Sequence, residues 1–282
     1  MRTRSRAASR TAALVGASML WLAGPAAADE IKVMTSGGFT AALTELTPAF
    51  ERATGHTVVT TYGASLGGAP DSIPSRLRRG EPADIVILAS EALDALIGQG
   101  SVVAGSRVDL ARSSIGMAVR AGAPKPDISS VAALKRALLR AKSIAYSASA
   151  SGVYLSTELF QRLGIAAEVA GKSQRIESER VATVVARGDA EIGFQQISEL
   201  LPVAGIEYVG PLPPEVQRVT IFSAGVAAGA KTPDAARALI TFLASAASAP
   251  AITKSGMEPV ARNKTPLKHP VGRQPATCAD VW

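Results

Sequence analysis

The sequence has one cysteine, Cys278, and two histidines, His56 and His269. A single cysteine excludes an intrachain disulfide. With so few thiol and imidazole ligands, and no acidic cluster at ligand spacing, we predict no bound metal and no cofactor. The chain also lacks a GxxxxGK[ST] phosphate loop and a GxSxG elbow, so nothing indicates nucleotide hydrolysis or serine-hydrolase chemistry. After the first 28 residues, no segment reaches the roughly 18 apolar residues that a transmembrane helix needs.

The first 28 residues have the pattern of a secretory signal peptide. Four arginines precede an apolar run from Ala12 to Leu22, and the segment ends in Ala26-Ala27-Ala28 before Asp29. This order is typical of a cleavable leader, and no cysteine follows it to carry a lipid anchor. We therefore predict a periplasmic protein, soluble after removal of the leader, whose mature chain starts near Asp29.

The leader also accounts for much of the net charge of +7. Without it, 26 basic and 23 acidic residues remain, a net charge of +3. This small excess does not indicate a nucleic-acid partner, which would need basic residues gathered on one face. It suits a small anionic ligand at least as well.

Short apolar runs alternate with amphipathic stretches, which predicts an α/β fold. Strands are predicted at 31–35, 57–62, 84–88, 115–120, 143–147, 191–194 and 218–227. Helices are indicated by apolar residues three or four positions apart, as in Phe39, Leu43, Leu46 and Phe50.

The chain is long enough for two lobes, and we expect a monomer. We place crossings between the lobes at 109–115 and near 220–226. The predicted organisation is a signal peptide at 1–28, lobe I at 29–112 and 223–260, lobe II at 113–222, and a strap or tail at 261–282.

Three glycine-punctuated polar loops each follow a predicted strand and precede a helix. They contain Ser36 and Gly37, then Ser65, then Ser149, Ser151 and Gly152. Hydroxyls and backbone N–H groups at a helix start can hold an anion without a metal, and such loops converge where α/β sheets bind ligands. An ordinary capping turn is the alternative interpretation of each loop taken alone.

Two further stretches add candidate binding groups. Ser178 and Arg180 lie at the start of a predicted helix, where Arg180 could grip a carboxylate with two hydrogen bonds or pair with a nearby glutamate. Gln195 and Gln196 follow an apolar strand, where buried amides need partners.

Several segments of the chain resemble the periplasmic molybdate-binding protein family: IKVMTSGGFTAAL, FERATGHTV, TYGASLGG, GEPADIVI and TPDAARALITFLAS. The resemblance spans almost all of 31–258. It implies the type II periplasmic-binding-protein fold, in which two α/β lobes joined by two crossing segments hold an anion between them, and an ABC permease as partner. The chain also resembles the aconitate isomerase branch of this fold.

The resemblance carries over to particular positions of this chain. The family's first two anion-binding serines correspond to Ser36 and Ser65, a backbone contact falls in the Ser149 to Gly152 loop, and another falls near Ser178. Where molybdate binders have a tyrosine, this chain has Gln196. Such a shell is wider and richer in amides, so it favours a dicarboxylate or tricarboxylate over a compact oxyanion.

Two functions remain open at this point. The favoured one is an exported solute-binding protein that closes on a small multivalent anion, a molybdate-like oxyanion or a carboxylate, for an ABC transporter. The alternative is an aconitate isomerase that interconverts trans- and cis-aconitate in the same cleft. That enzyme would need a base, for which the sequence suggests Glu177 or Glu179, with a pKa raised by burial.

Overall fold

A computed structural model of the protein describes residues 28–260. The predicted signal peptide and tail, with His269 and Cys278, lie outside these residues apart from Ala28. Within the described part, two β-sheets with helices on their faces form a mixed α/β architecture, so the predicted fold class is confirmed. No single helix of residues 28–260 is long and apolar enough to cross a membrane; a pair bent by 60°, Pro233–Leu243 and Ala246–Lys254, has the combined length and composition.

The first sheet has six strands: β1 Glu30–Thr35, β2 Thr57–Tyr62, β3 Ile85–Ala89, β4 Val108–Ser113, β10 Thr220–Val226 and β11 Glu258–Pro259. Their order is β11-β4-β10-β3-β1-β2. β1 is parallel to β2 and β3, whereas β10 runs antiparallel to β3 and β4. The carboxyl ends of β1, β2 and β3 therefore meet at one edge of the sheet.

The second sheet has five strands: β5 Ile115–Arg120, β6 Ile144–Ser147, β7 Ser173–Ile176, β8 Ile192–Gln196 and β9 Ile206–Pro211. Their order is β7-β6-β8-β5-β9. β6 is parallel to β7 and β8, and β5 is antiparallel to β8 and β9. The carboxyl ends of β6, β7 and β8 thus also share an edge.

The helices are α1 Gly37–Thr54, α2 Ile73–Arg78, α3 Ser90–Gly98, α4 Val131–Arg140, α5 Ala150–Tyr154, α6 Phe160–Arg162, α7 Ala166–Ala170, α8 Val181–Arg187, α9 Ile197–Leu200, α10 Pro233–Leu243 and α11 Ala249–Lys254. A π-helical turn, Leu155–Leu159, joins α5 to α6. The longest helix, α1, buries the predicted apolar stripe of Phe39, Leu43, Leu46 and Phe50. It ends at Gly55, whose φ of 78° is a left-handed conformation that glycine adopts without strain.

The chain passes from the first sheet to the second at Ser114, between β4 and β5. It returns between Pro211, the end of β9, and Thr220, the start of β10. The predicted first crossing includes Ser114, but the predicted second crossing coincides with β10, which lies wholly in the first sheet. We keep two lobes as a proposal and place their boundaries at Ser114 and within 212–219.

Candidate functional site

A cavity of about 330 Å³ lies between the two sheets. It is lined by residues at and after the carboxyl ends of β1, β2, β6, β7 and β8, and by Phe222 of β10. These are the ends of parallel strands, where open α/β sheets bind ligands. A volume of this size accommodates a small molecule.

The cavity brings together nine of the ten predicted binding residues: Ser36, Gly37, Ser65, Ser149, Ser151, Ser178, Arg180, Gln195 and Gln196. Gly152 is the exception. A β-carbon at Gly152 would lie 1.6 Å from the backbone oxygen of Ser147, so this glycine allows the loop to pack against β6. That is a structural role rather than a place in the lining; the ligand contacts of the other nine residues stay predictions.

Ser36 has a buried hydroxyl group in the cavity wall that makes no hydrogen bond to the described protein. Its side chain is 2% exposed, and Oγ has no hydrogen-bond partner among the described residues. Ser36 is also the N-cap of α1, yet its side chain does not cap the helix. A buried hydroxyl without a partner at a helix start is ready to donate to an anion.

Other serines of the wall are partly engaged within the protein. Ser65 Oγ accepts a hydrogen bond from the backbone N–H of Ala89 at 3.0 Å. Because that contact uses an acceptor site, the Ser65 proton remains available for a ligand. Ser147 and Ser151 share a hydrogen bond of 3.0 Å between their hydroxyls, which leaves one proton of the pair to donate.

Arg180 is the basic residue of the cavity wall among the described residues, and it directly precedes α8. The alternative of pairing with a neighbouring glutamate is not what the structure shows. Glu177 pairs with Arg175 at 3.1 Å, and Glu179 pairs with Arg187 at 2.7 Å. Within residues 28–260, Arg180 forms no salt bridge shorter than 4 Å. Its guanidinium is thus available to a carboxylate ligand.

Glu177 and Glu179 both border the cavity, but neither has the environment that a base requires. Their side chains are 54% and 45% exposed. Hydrogen bonds from Arg187 hold the pKa of Glu179 below its usual value. The sequence-based requirement of a carboxyl with a raised pKa is therefore not met by Glu179.

Sequence reasoning missed another carboxyl in the wall, Glu199 of α9. Burial raises the pKa of Glu199 from its ordinary 4.5 to about 7, although the charge of Arg180 and hydrogen bonds from Gln195 and Gln196 oppose the rise. A carboxyl that titrates near neutral pH can accept and return protons under physiological conditions.

The local sequence explains the position of Glu199. Gln196 is the N-cap of α9, so Glu199 occupies the third helical position, from which a glutamate reaches back to the backbone of the N-cap residue. The Ser198 hydroxyl donates to the backbone oxygen of Gly38 at 2.7 Å, which ties α9 to the start of α1. The spacing of Gln196 and Glu199 after a buried strand is a signal that could have found this residue.

The two glutamines differ in their contacts. Gln195 Oε1 accepts from the backbone N–H of Val181 at 3.0 Å, while its Nε2 donates to Glu199 Oε1 at 2.9 Å. Gln196 Nε2 donates to Thr220 Oγ1 at 2.9 Å, and its Oε1 has no partner among the described residues. Gln196 therefore has an unengaged polar atom beside the cavity, whereas both ends of the Gln195 amide are in use.

Comparison with known proteins assigns this chain to a family. The model of a family described as bacterial extracellular solute-binding protein matches residues 31–258. The chain belongs to that family. Membership in a family of extracellular solute-binding proteins implies a small-molecule ligand.

Two curated relatives support the assignment. The chain is 48% identical over 230 residues to an aconitate isomerase from Pseudomonas sp., covering 82% of this chain and 88% of that protein. It is 30% identical over 197 residues to the molybdate-binding protein ModA from Azotobacter vinelandii, covering 68% of this chain and 73% of the relative. Both resemblances stated from the sequence are thereby confirmed.

Solved structures show the same fold. The periplasmic molybdate-binding protein of Azotobacter vinelandii superposes with a TM-score of 0.65 at 21% identity, over 80% of this chain and 98% of that one. PEB3 with bound L-phospholactate superposes with a TM-score of 0.62 at 15% identity, over 81% and 99%. The fold is therefore that of the type II periplasmic binding proteins.

Proposed function

We propose that this family member is an exported enzyme that interconverts trans- and cis-aconitate, with Glu199 as the base. The observation that carries the proposal is a carboxyl with a pKa raised to about 7 that lines a cavity otherwise rich in hydrogen-bond donors. Simple capture of an anion needs no such group, because each negative charge added to the wall weakens the binding of an anion. The 48% identical relative named aconitate isomerase supports the same reaction.

The wall offers separate holding points for the carboxylates of such a substrate. Arg180 presents a planar guanidinium that binds a carboxylate with two parallel hydrogen bonds. On the opposite side, Ser36 Oγ and the first N–H groups of α1 form a second point. Ser149, the N-cap of α5, and Ser151, in the first turn of α5, form a third. Because these groups come from both sheets, closure around the substrate positions it and excludes water.

The proposed reaction is a proton shift along three carbons. The Glu199 carboxylate removes a proton from the methylene carbon; the C–H electron pair spreads over the allylic unit and its carboxylates. Glu199 then returns the proton to the carbon at the other end, where a new C–H bond forms. The double bond moves by one position, and the atoms balance without a co-reactant. Whether the new double bond is cis or trans depends on how the cavity holds the carboxylates on either side of it.

Substrate binding itself prepares the base. In the free protein, the charge of Arg180 lowers the pKa of Glu199 against the effect of burial. A substrate carboxylate on Arg180 offsets that charge, and the substrate's other negative charges add to the cavity. Both changes raise the pKa of Glu199, so its carboxylate becomes a stronger base when a proton is to be removed.

The test is conversion of trans-aconitate to cis-aconitate by the purified exported chain, followed by NMR, and the reverse reaction. Both directions must reach the same ratio of isomers. Glu199→Gln keeps the shape and the hydrogen bond from Gln195 but cannot accept a proton, so we expect a loss of roughly a hundredfold or more in kcat with binding retained. Glu168→Gln makes the same change on the exposed surface of α7 and is the matched control.

A second candidate function is capture of an unchanged anion for an ABC permease. The unpartnered Ser36 hydroxyl and the donors from both sheets favour it, as does the family. Under this function a bound tricarboxylate, or molybdate, is recovered unaltered, and Glu199→Gln tightens binding because a negative charge leaves the wall. A molybdate titration beside the aconitate assay separates the candidates. Under either function, we propose that the leader is cleaved near Asp29.

A further inference from the structure

Gln195 is a polar side chain of the cavity wall to which the proposed reaction gives no role. Gln195 is 3% exposed and lies between the start of α8 and the carboxyl of Glu199. Its sequence neighbour Gln196 has an unengaged oxygen, but the amide of Gln195 is fixed at both ends. Such an arrangement suits a group that orients another group rather than one that binds a ligand.

The direction of the Gln195 amide follows from the backbone. The N–H of Val181 can only donate, so the atom that faces it at 3.0 Å must be the oxygen Oε1. The NH₂ group then points the other way, 2.9 Å from Glu199 Oε1. This donor cannot turn into an acceptor unless the hydrogen bond to Val181 is lost. The orientation of the amide is therefore determined by hydrogen bonding and needs no assumption about which atom is nitrogen.

A donor that faces Glu199 Oε1 decides where Glu199 carries its proton. With the proton on Oε2, Oε1 remains the carbonyl oxygen and accepts fully from Gln195, whereas a protonated Oε1 is a weaker acceptor for the same NH₂ group. Gly37 encloses the same oxygen, since a β-carbon built on Gly37 would lie 2.0 Å from Glu199 Oε1. Oε1 is thus both engaged and shielded, and the proton is directed to Oε2.

We infer that Gln195 is a positioning residue that makes Oε2 of Glu199 the atom that takes the substrate proton and returns it. The inference rests on the proposed isomerase function. In it, Gln195 does not touch the substrate. It holds the carboxyl in one rotational state, so the same oxygen faces both ends of the three-carbon unit during the proton shift.

Other charged groups around Glu199 also influence its titration and must stay unchanged in a test of Gln195. Arg180 acts on it from the segment before α8, and Glu177 and Glu179 border the same cavity from that segment. Asp71 borders the cavity from the loop before α2. A change at Gln195 leaves all four groups in place, so a shift in the titration of Glu199 reports on the amide.

Two variants separate positioning from simple structural support. Gln195→Met removes the donor to Glu199 and also the acceptor for Val181. Gln195→Glu keeps the shape and the acceptor for Val181, but an ionised carboxyl there has no donor for Glu199 and adds a like charge beside it. If Gln195 only supports α8, Gln195→Met destabilises the protein but leaves the titration of Glu199 unchanged. Gln174→Met is the control, because Gln174 is an exposed glutamine of β7 remote from Glu199.

We expect both Gln195 variants to raise the apparent pKa on the acid limb of kcat against pH by about one unit or more, because a hydrogen bond to the carboxylate is lost and, in Gln195→Glu, a like charge is added. We also expect kcat to fall roughly tenfold to a hundredfold, with little change in KM. An NMR titration of the carboxyl of Glu199 in the labelled protein gives the same pKa shift without turnover.

The outcomes distinguish the two proposals. If the wild-type protein does not isomerise aconitate, the proposed function fails, and the catalytic part of the inference fails with it. If the enzyme is active but Gln195→Glu retains the wild-type kcat and pH profile, the role of Gln195 alone is overturned. An unshifted titration of Glu199 in both variants overturns it as well.

Discussion

Gly37 and Glu199 approach so closely that a β-carbon on Gly37 would lie 2.0 Å from Glu199 Oε1 and 2.9 Å from its Cδ. The two residues come from different sheets: Gly37 begins α1 after β1, and Glu199 lies on α9 after β8. A side chain at position 37 would therefore displace this carboxyl, which comes from the other half of the molecule. This contact joins the anion-binding start of α1 to the proposed base.

A methyl group at Gly37 tests that contact. The added methyl group of Gly37→Ala displaces the carboxyl of Glu199 from its present position. We therefore expect kcat to fall by roughly a hundredfold, as for other small displacements of a reacting group. Gly98→Ala, at the end of α3 with open space around its Cα, is the matched control and should keep full activity. Steady-state kinetics measures both; an unaffected kcat in Gly37→Ala would mean that Glu199 is not the base.

Glu199 also makes stability depend on pH. Its folded-state pKa of about 7 lies above the ordinary 4.5, so the folded protein binds more protons than the unfolded chain between these pH values. The stabilisation is therefore present below pH 4.5 and is lost as the pH rises through 7. The loss amounts to at most about 3 kcal/mol.

Glu199→Gln removes this pH dependence, since glutamine does not ionise. We expect the variant and the wild-type protein to have similar free energies of unfolding at pH 5. At pH 8.5 the variant should be more stable by up to about 3 kcal/mol, because the wild-type protein then holds a charge in a partly buried site. Thermal or urea unfolding at both pH values measures this, with Glu168→Gln as the control. A difference that does not grow with pH contradicts the raised pKa.

The sequence predicted the central strands and the loops that follow them, because buried strands are continuous apolar runs. All seven predicted strands are present, with bounds that differ by at most two residues. Four strands were not predicted. Three of them, β7, β9 and β11, lie at sheet edges, where one side of the strand has no neighbour and polar or proline residues are tolerated.

The candidate site could be predicted once the strands were predicted, because each predicted loop begins where a strand ends. Glu199 was missed for a different reason. It lies on a helix of four residues, too short to show a hydrophobic period, and its pKa depends on burial by α1, which is distant in sequence. The fourth unpredicted strand, β4, was read as part of a crossing because its sequence VDLARS mixes charged and apolar residues.

Arg180 should affect both binding and titration. Arg180→Gln removes the guanidinium that we assign to a substrate carboxylate, so KM is expected to rise roughly tenfold to a hundredfold. It also removes the charge that lowers the pKa of Glu199, so the acid limb of kcat/KM should move to higher pH. Arg180→Lys separates these effects: the charge and the pH profile are retained, while KM still rises because lysine cannot bind a carboxylate in a planar, paired geometry. Equal pH profiles for the wild-type protein and Arg180→Gln would contradict the electrostatic link.

Arg218 connects the two halves of the molecule outside the cavity. It lies in the return segment before β10, 3.1 Å from Glu91 of α3 and 3.4 Å from Glu158 of the π-helical turn after α5. Glu91 follows a strand of the first sheet, and Glu158 belongs to the half that contains the second sheet. The guanidinium of Arg218 therefore favours the arrangement in which these halves are close.

Because all three side chains are substantially exposed, Arg218→Gln should lower the free energy of unfolding by less than about 1 kcal/mol. The ion pairs of Arg218 should contribute a similarly small free energy to closure on the substrate. We therefore expect the KM of Arg218→Gln to be a few-fold above that of the wild-type protein at low salt. At high salt, where the wild-type ion pairs are screened, the two KM values should be equal. Kinetics at two salt concentrations, with unfolding measured in parallel, checks this; a KM effect that persists unchanged at high salt would show that Arg218 acts through packing on Tyr154, whose ring centre lies 5.7 Å away, and not through its charge.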